Sequence, residues 1–95
     1  MDERAARVAA ILEDAHRAHA TISRKTGGVD PEWPMFYAWW LREWSSLPEI
    51  LGTTPPLSLL IHELVRLDRA QRADQTGGSW SERYAEALLA ADWTG

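Results

Sequence analysis

The 95-residue chain has no cysteine, which excludes disulfides and thiolate metal sites and leaves the redox compartment unmarked. Basic side chains are also in deficit: 10 lysines and arginines stand against 14 aspartates and glutamates, a net charge of −4. An acidic chain lacks the positive field that draws phosphates, so nucleic acid is not an expected partner. No stretch approaches the roughly 20 apolar residues that span a bilayer, and the first residues run straight into an amphipathic pattern. The expectation is a single soluble, cytoplasmic helical domain over residues 1–95, with no membrane partner. No glycine-rich loop precedes a helix to cradle a phosphate, because Gly27-Gly28 and Gly77-Gly78 both follow helical patterns. Ser58, Ser79 and Ser81 sit at helix starts, with no glycine elbow or triad around them. No catalytic residue and no cofactor is assigned, and the reading leans away from an enzyme.

Tryptophan, by contrast, is plentiful. The stretch Trp33-Pro-Met-Phe-Tyr-Ala-Trp-Trp-Leu-Arg-Glu-Trp44 holds four of the six tryptophans, the single phenylalanine and one of the two tyrosines. In helical register Trp33, Tyr37, Trp40 and Trp44 share one face, while Phe36 and Trp39 lie on the other flank. A helix that is apolar nearly all round is usually enclosed by its neighbours. This stretch is therefore expected to be the central helix of a small bundle.

The remaining elements follow from periodicity and punctuation. Residues 2–26 read as a long helix capped by Asp2, with Ala5, Val8, Leu12, Ala15, His19 and Ile22 along its seam and Gly27-Gly28 beyond its end. A second helix is expected over about 31–46. Asp30-Pro31 resembles a cap followed by proline at the first helical position, but Pro34 complicates that start. Either a short turn covers 31–33 and the helix begins afresh at Pro34, or one helix has a distorted first turn. Leu47, Ile50 and Leu51 are expected to plug the end of the core from a 3₁₀ turn or a single helical turn. A third long helix is expected over 56–74, with Leu57, Leu60, Ile61, Leu64, Val65 and Leu67 on a broad face and Asp68 at its margin. Ser79-Trp-Ser-Glu82 is a capping-box pattern that opens a fourth helix, 79–91, whose inner face is Trp80, Tyr84, Ala87, Leu88 and Ala91. Trp93 is expected to fold back on the bundle.

The two halves echo each other. Thr26-Gly-Gly28 recurs as Thr76-Gly-Gly78, and Trp33, Tyr37, Ala38, Leu41 recurs as Trp80, Tyr84, Ala85, Leu88. The physical reading is an all-α fold of four helices, built from two pseudo-repeated helical hairpins. In each hairpin the Trp and Tyr would lie against the preceding long helix, and chance similarity between amphipathic helices is the alternative. Asp30-Pro31 followed by W-x₃-Y-A-x₂-L, then Leu47-Pro48 and Thr54-Pro55-Pro56, resembles small helical bacterial proteins without an assigned role. The resemblance covers about residues 30–68 and implies a compact helical domain, with no activity attached.

Two constellations bear on function. Glu13-x-x-His16 sets a carboxylate and an imidazole on one helix face, and His19 extends it. No second Glu-x-x-His accompanies it, so no metal site is assigned. Glu13, His16 and His19 stand as the candidates for a mononuclear one, against a surface His16 and a seam His19. The aromatics carry the leading expectation: a bundle of this size cannot enclose them all, and exposed tryptophans mark interfaces. Phe36, Trp39 and Trp44, with Tyr37 and Trp40, are the expected interface, joining the protein to a second copy of itself as a homodimer. The alternative is that Trp and Tyr side chains line a pocket, or an enzyme site, for a small apolar or aromatic ligand, oriented by Tyr37, Tyr84 or the Trp39 N–H.

Overall fold

Helix α1 (Glu3–Lys25) sets the length of the molecule. The computed structural model describes residues 2–25, 32–73 and 79–93. The 23 residues of α1 make a rod of about 35 Å at ~1.5 Å per residue, close to the longest dimension of the fold, 36 Å. Asp2 caps it as expected, its Oδ1 accepting from the Arg4 N–H at 2.9 Å. Ala5, Val8, Ala9, Leu12 and Ala15 are buried. Burial then stops: His19 is half-buried and Ile22 is exposed, so the seam covers only the first two-thirds of the helix.

Helix α2 (Trp33–Glu43) begins one residue before Pro34, which places the missing proline donor among first-turn N–H groups that have no helical partner anyway. The Glu32 carbonyl accepts from Met35 N and Phe36 N at 3.1 and 3.3 Å. The Asp30-Pro31 start and both Gly-Gly pairs lie outside the described residues. The helix stops short of the expected end near 46, because Ser45 Oγ donates to the Leu41 carbonyl at 2.5 Å and accepts from Leu47 N at 3.1 Å. A side chain that satisfies the backbone locally competes with helix continuation. Helix α3 (Leu47–Leu51) is a single turn closed by Gly52 at φ +79°, and it buries Leu47 and Ile50 as the expected plug. Residues 54–56 are non-helical, and Pro55 is fully buried.

Helix α4 (Leu57–Ala73) buries Leu60, Leu64 and Leu67, while Arg66, Arg69 and Arg72 stay exposed. Helix α5 (Trp80–Ala90) starts on Ser79, whose Oγ accepts from the Glu82 N–H. Its inner face is rotated from the expected one: Ser81, Tyr84, Ala85 and Leu88 are buried, whereas Ala87 and Ala91 are only half-buried. Trp93 does fold back, with its indole N–H donating to the Leu88 carbonyl at 3.0 Å. The fold is all-α, four principal helices plus the single turn of α3, and no strand occurs among the described residues. No helix among them is long and apolar enough to cross a membrane.

Two expectations are corrected, each for its own physical reason. The tryptophan-rich α2 is not an enclosed central helix. It fully buries only Ala38 and Leu41, leaving Met35, Trp39 and Trp44 exposed at 55, 44 and 69%. Helix axes in packed bundles lie about 8–10 Å apart, which suits alanine and leucine better than indole. Nor are the two hairpins alike. Helix α2 packs on its own α1 nearly as much as on α4, whereas α5 packs on α1 far more than on its own α4. An amphipathic stripe dictates that a face is covered without naming its partner.

The core is therefore built on small and medium side chains, and truncation tests this directly. Leu41→Ala and Leu88→Ala are each expected to lower stability in urea unfolding by about 2–5 kcal/mol. Trp44→Ala, on the surface, is expected to cost no more than about 0.5 kcal/mol. A Trp44→Ala cost equal to that of Leu41→Ala would contradict this placement.

Candidate functional site: an aromatic cleft between the two halves

The repeated Trp and Tyr residues stand four apart, so each pair occupies one face of its helix, a turn before the buried alanine and leucine. Trp33 and Tyr37 meet edge to face at 5.8 Å between ring centroids and an angle of 84°. Trp80 and Tyr84 repeat the arrangement at 5.4 Å and 86°. The packing of α5 on α1 turns both pairs toward one cleft of about 500 Å³. Buried Leu12 and Leu64 line it, as do His16 and His19 from α1 and Asp68, Gln71 and Arg72 from α4.

Polar contacts hold these walls. His16 bridges the halves: its Nδ1 lies 3.1 Å from the Tyr37 hydroxyl, and its ring stands 5.7 Å from the Trp80 ring. His19 packs on Phe36 and Tyr37, with centroids 5.4 and 5.2 Å away. Arg83 Nη1 donates to Gln71 Oε1 at 3.4 Å, tying α5 to α4. Ser81 is buried and donates through Oγ to Glu13 Oε2 at 3.0 Å, tying α5 to α1.

The electrostatics of the cleft are graded from inside to outside. The Tyr84 phenol is pushed up to about 12, by burial first, then by the Asp68 carboxylate and Tyr37, with Arg72 opposing. Burial also raises Tyr37. Both hydroxyls therefore stay protonated at neutral pH and remain hydrogen-bond donors. Asp68 Oδ2 accepts from Arg72 Nε at 3.0 Å, and the Arg72 side chain is 76% exposed against 29% for Asp68. The carboxylate sits inward and its cation lies toward solvent.

The structure disperses the candidate residues read from the sequence. Glu13 bonds Ser81, His16 faces Tyr37 and Trp80, and His19 packs on Phe36 and Tyr37. Among the described residues no three His, Asp or Glu side chains gather where they could hold a metal ion. The five expected interface residues do not form one surface. Tyr37 lines the cleft and Trp40 packs partly buried against the core. Phe36 lies half-buried between His19 and a shallow hollow that it shares with Met35, Trp39 and Leu57. Only Trp39 and Trp44 remain as exposed rings, 5.8 Å apart.

Sequence reasoning placed Tyr84 among the groups that could orient a pocket ligand but assigned Trp33 and Trp80 to structure, and the repetition of the pairs was the signal that they act together. Asp68 carried a weaker signal, a carboxylate at the margin of an apolar face. Comparison with protein-family models, curated proteins and solved structures finds no match for this chain.

The raised phenols have a measurable consequence. A tyrosine whose folded pKa lies above its unfolded value of about 10 contributes stability that is fully present below that pH. For Tyr84 this contribution is lost as pH rises toward about 12. Tyrosinate absorbance is therefore expected to appear at higher pH in the folded protein than in urea. Coincident folded and unfolded titrations would contradict the burial of these hydroxyls.

Proposed function

We propose that this protein is a small cytoplasmic binding module whose aromatic cleft receives a small molecule with an apolar or aromatic body. The observation that carries the reading is the convergence of both Trp–Tyr pairs on one cavity of about 500 Å³. That volume falls within the roughly 300–1,000 Å³ of small-molecule sites. Its lining resembles theirs: leucines and aromatic rings with several polar groups, here two phenols, His16, His19, Asp68, Gln71 and Arg72. Protonated phenols suit orientation of a ligand by hydrogen bonds.

The reading is tested by ligand-observed and protein-observed titration with small aromatic and amphipathic compounds. Saturable shifts of the indole N–H resonances of Trp33 and Trp80 are expected, together with a raised melting temperature. A ligand at about 100 times its Kd adds roughly 2.7 kcal/mol of stability. A panel that moves neither indole signal nor the melt would remove the proposal.

A second reading is supported by the outward flank of α2. Residues two apart point about 200° apart on a helix, so Met35 and Trp39 face away from the cleft that Trp33 and Tyr37 line. Exposed tryptophan is costly in water and favoured as an interface anchor. On this reading Trp39 and Trp44 join two copies of the chain. Sedimentation velocity is expected to show a concentration-dependent dimer that the Trp39→Ala/Trp44→Ala double variant returns to monomer. A wild-type monomer at every concentration argues against it.

A further inference from the structure

We propose that the ligand of the aromatic cleft is an organic cation, an alkylated ammonium group enclosed by the rings of Trp33, Tyr37, Trp80 and Tyr84 with Asp68 as its counter-charge. The inference rests on the ligand-cleft reading and specifies its chemistry. Each Trp–Tyr pair meets near a right angle, 84° in one and 86° in the other, so each supplies two adjacent walls. Two such pairs from two helices border a single space. Aromatic faces carry negative quadrupolar potential, and cations within about 6 Å of a ring centroid are attracted to them. Alkylated ammonium groups shed water easily and need no hydrogen-bond acceptor at every corner, which suits walls made of rings.

The charges point the same way. Asp68 is the sole carboxylate among the residues lining the cleft, and Arg72 is bound to it from the solvent side. An exposed i, i+4 pair of this kind contributes little to stability, so an incoming cation can take over the inner side of Asp68 at small cost. At Tyr84 the influence of Asp68 exceeds the opposing influence of Arg72. A neutral ligand filling the same space would strip water from Asp68 and return no charge to it. An anion could meet Arg72 at the outer edge, but further in it would face the ring quadrupoles and the carboxylate.

The experiment compares choline with 3,3-dimethylbutan-1-ol, its neutral isostere, by tryptophan fluorescence and amide chemical shifts at constant ionic strength. Choline is expected to bind at least about tenfold more tightly, a difference of roughly 1.4 kcal/mol. Asp68→Asn should weaken choline by a similar factor and leave the alcohol unchanged. Trp33→Leu, which keeps apolar bulk but removes a π face, should weaken choline more than the alcohol and guards against a folding defect in the first variant. A trimethyllysine peptide forms a further arm: tighter binding than choline assigns the ammonium group to a modified protein tail, and weaker binding to a free small amine. Equal affinity for choline and the alcohol, or indifference to Asp68→Asn, overturns the cation inference while the ligand-cleft reading stands. If the aromatic panel also leaves the cleft resonances unmoved, both fall.

Discussion

Close helix approach is the constraint on which the molecule depends. Ala38 with Leu41, and Ala85 with Leu88, are completely buried, and they occupy equivalent positions in two eleven-residue helices. An alanine on the inner side admits a neighbouring backbone at short range. Trp33 and Trp80, more than a turn before each alanine, stand half-buried at the rim, each against the tyrosine next to that alanine. The cleft thus lies beside the packing that stabilises the fold, with these two indoles at its opening.

Polar ties between distant elements hold that rim in register. Arg4 Nη2 donates to the Ile50 carbonyl at 2.7 Å, and Arg42 Nε donates to the Pro55 carbonyl at 2.9 Å. Ser81 reaches Glu13, and His16 reaches Tyr37. Among the described residues no buried side-chain nitrogen or oxygen lacks a partner. Buried polar groups left unpaired cost about 1–3 kcal/mol each, so these contacts select one arrangement of helices over near alternatives. For a chain without cysteine, they perform the alignment that a cross-link would otherwise supply.

Much of the architecture was legible in the residues. Asp2, Ser79 and the Pro34 register announced helix starts, and the spacing of Val8, Leu12 and Ala15 announced the inner face of α1. The repeat of Trp, Tyr, Ala and Leu was also legible, and its members occupy matching environments. Two things were not. Helix α2 read as enclosed because hydrophobicity carries no information on whether a side chain fits between helices, although Trp39 and Trp44 were already the residues expected at the surface. The partner of α5 stayed hidden, because a stripe of leucines is satisfied by any complementary stripe. The candidate site depended on that second unknown: with α5 on α1, His16 stands between Tyr37 and Trp80 and the two pairs border one cleft. Ser81 shows the same limit on a smaller scale, since a serine at a helix start reads as a cap and its tie to Glu13 spans 68 positions.

The pairing of α5 with α1 also bears on how the chain reaches its native state. Were each half a closed hairpin, one half could form and persist while the other remained unfolded. Here the most extensive contact joins the first helix to the last. Loop closure over such separations is slow relative to local pairing, and the face of α1 that α5 covers stays open meanwhile. The two ends of the chain therefore meet late. The cleft exists only once that meeting is complete, so binding competence and global folding arrive together.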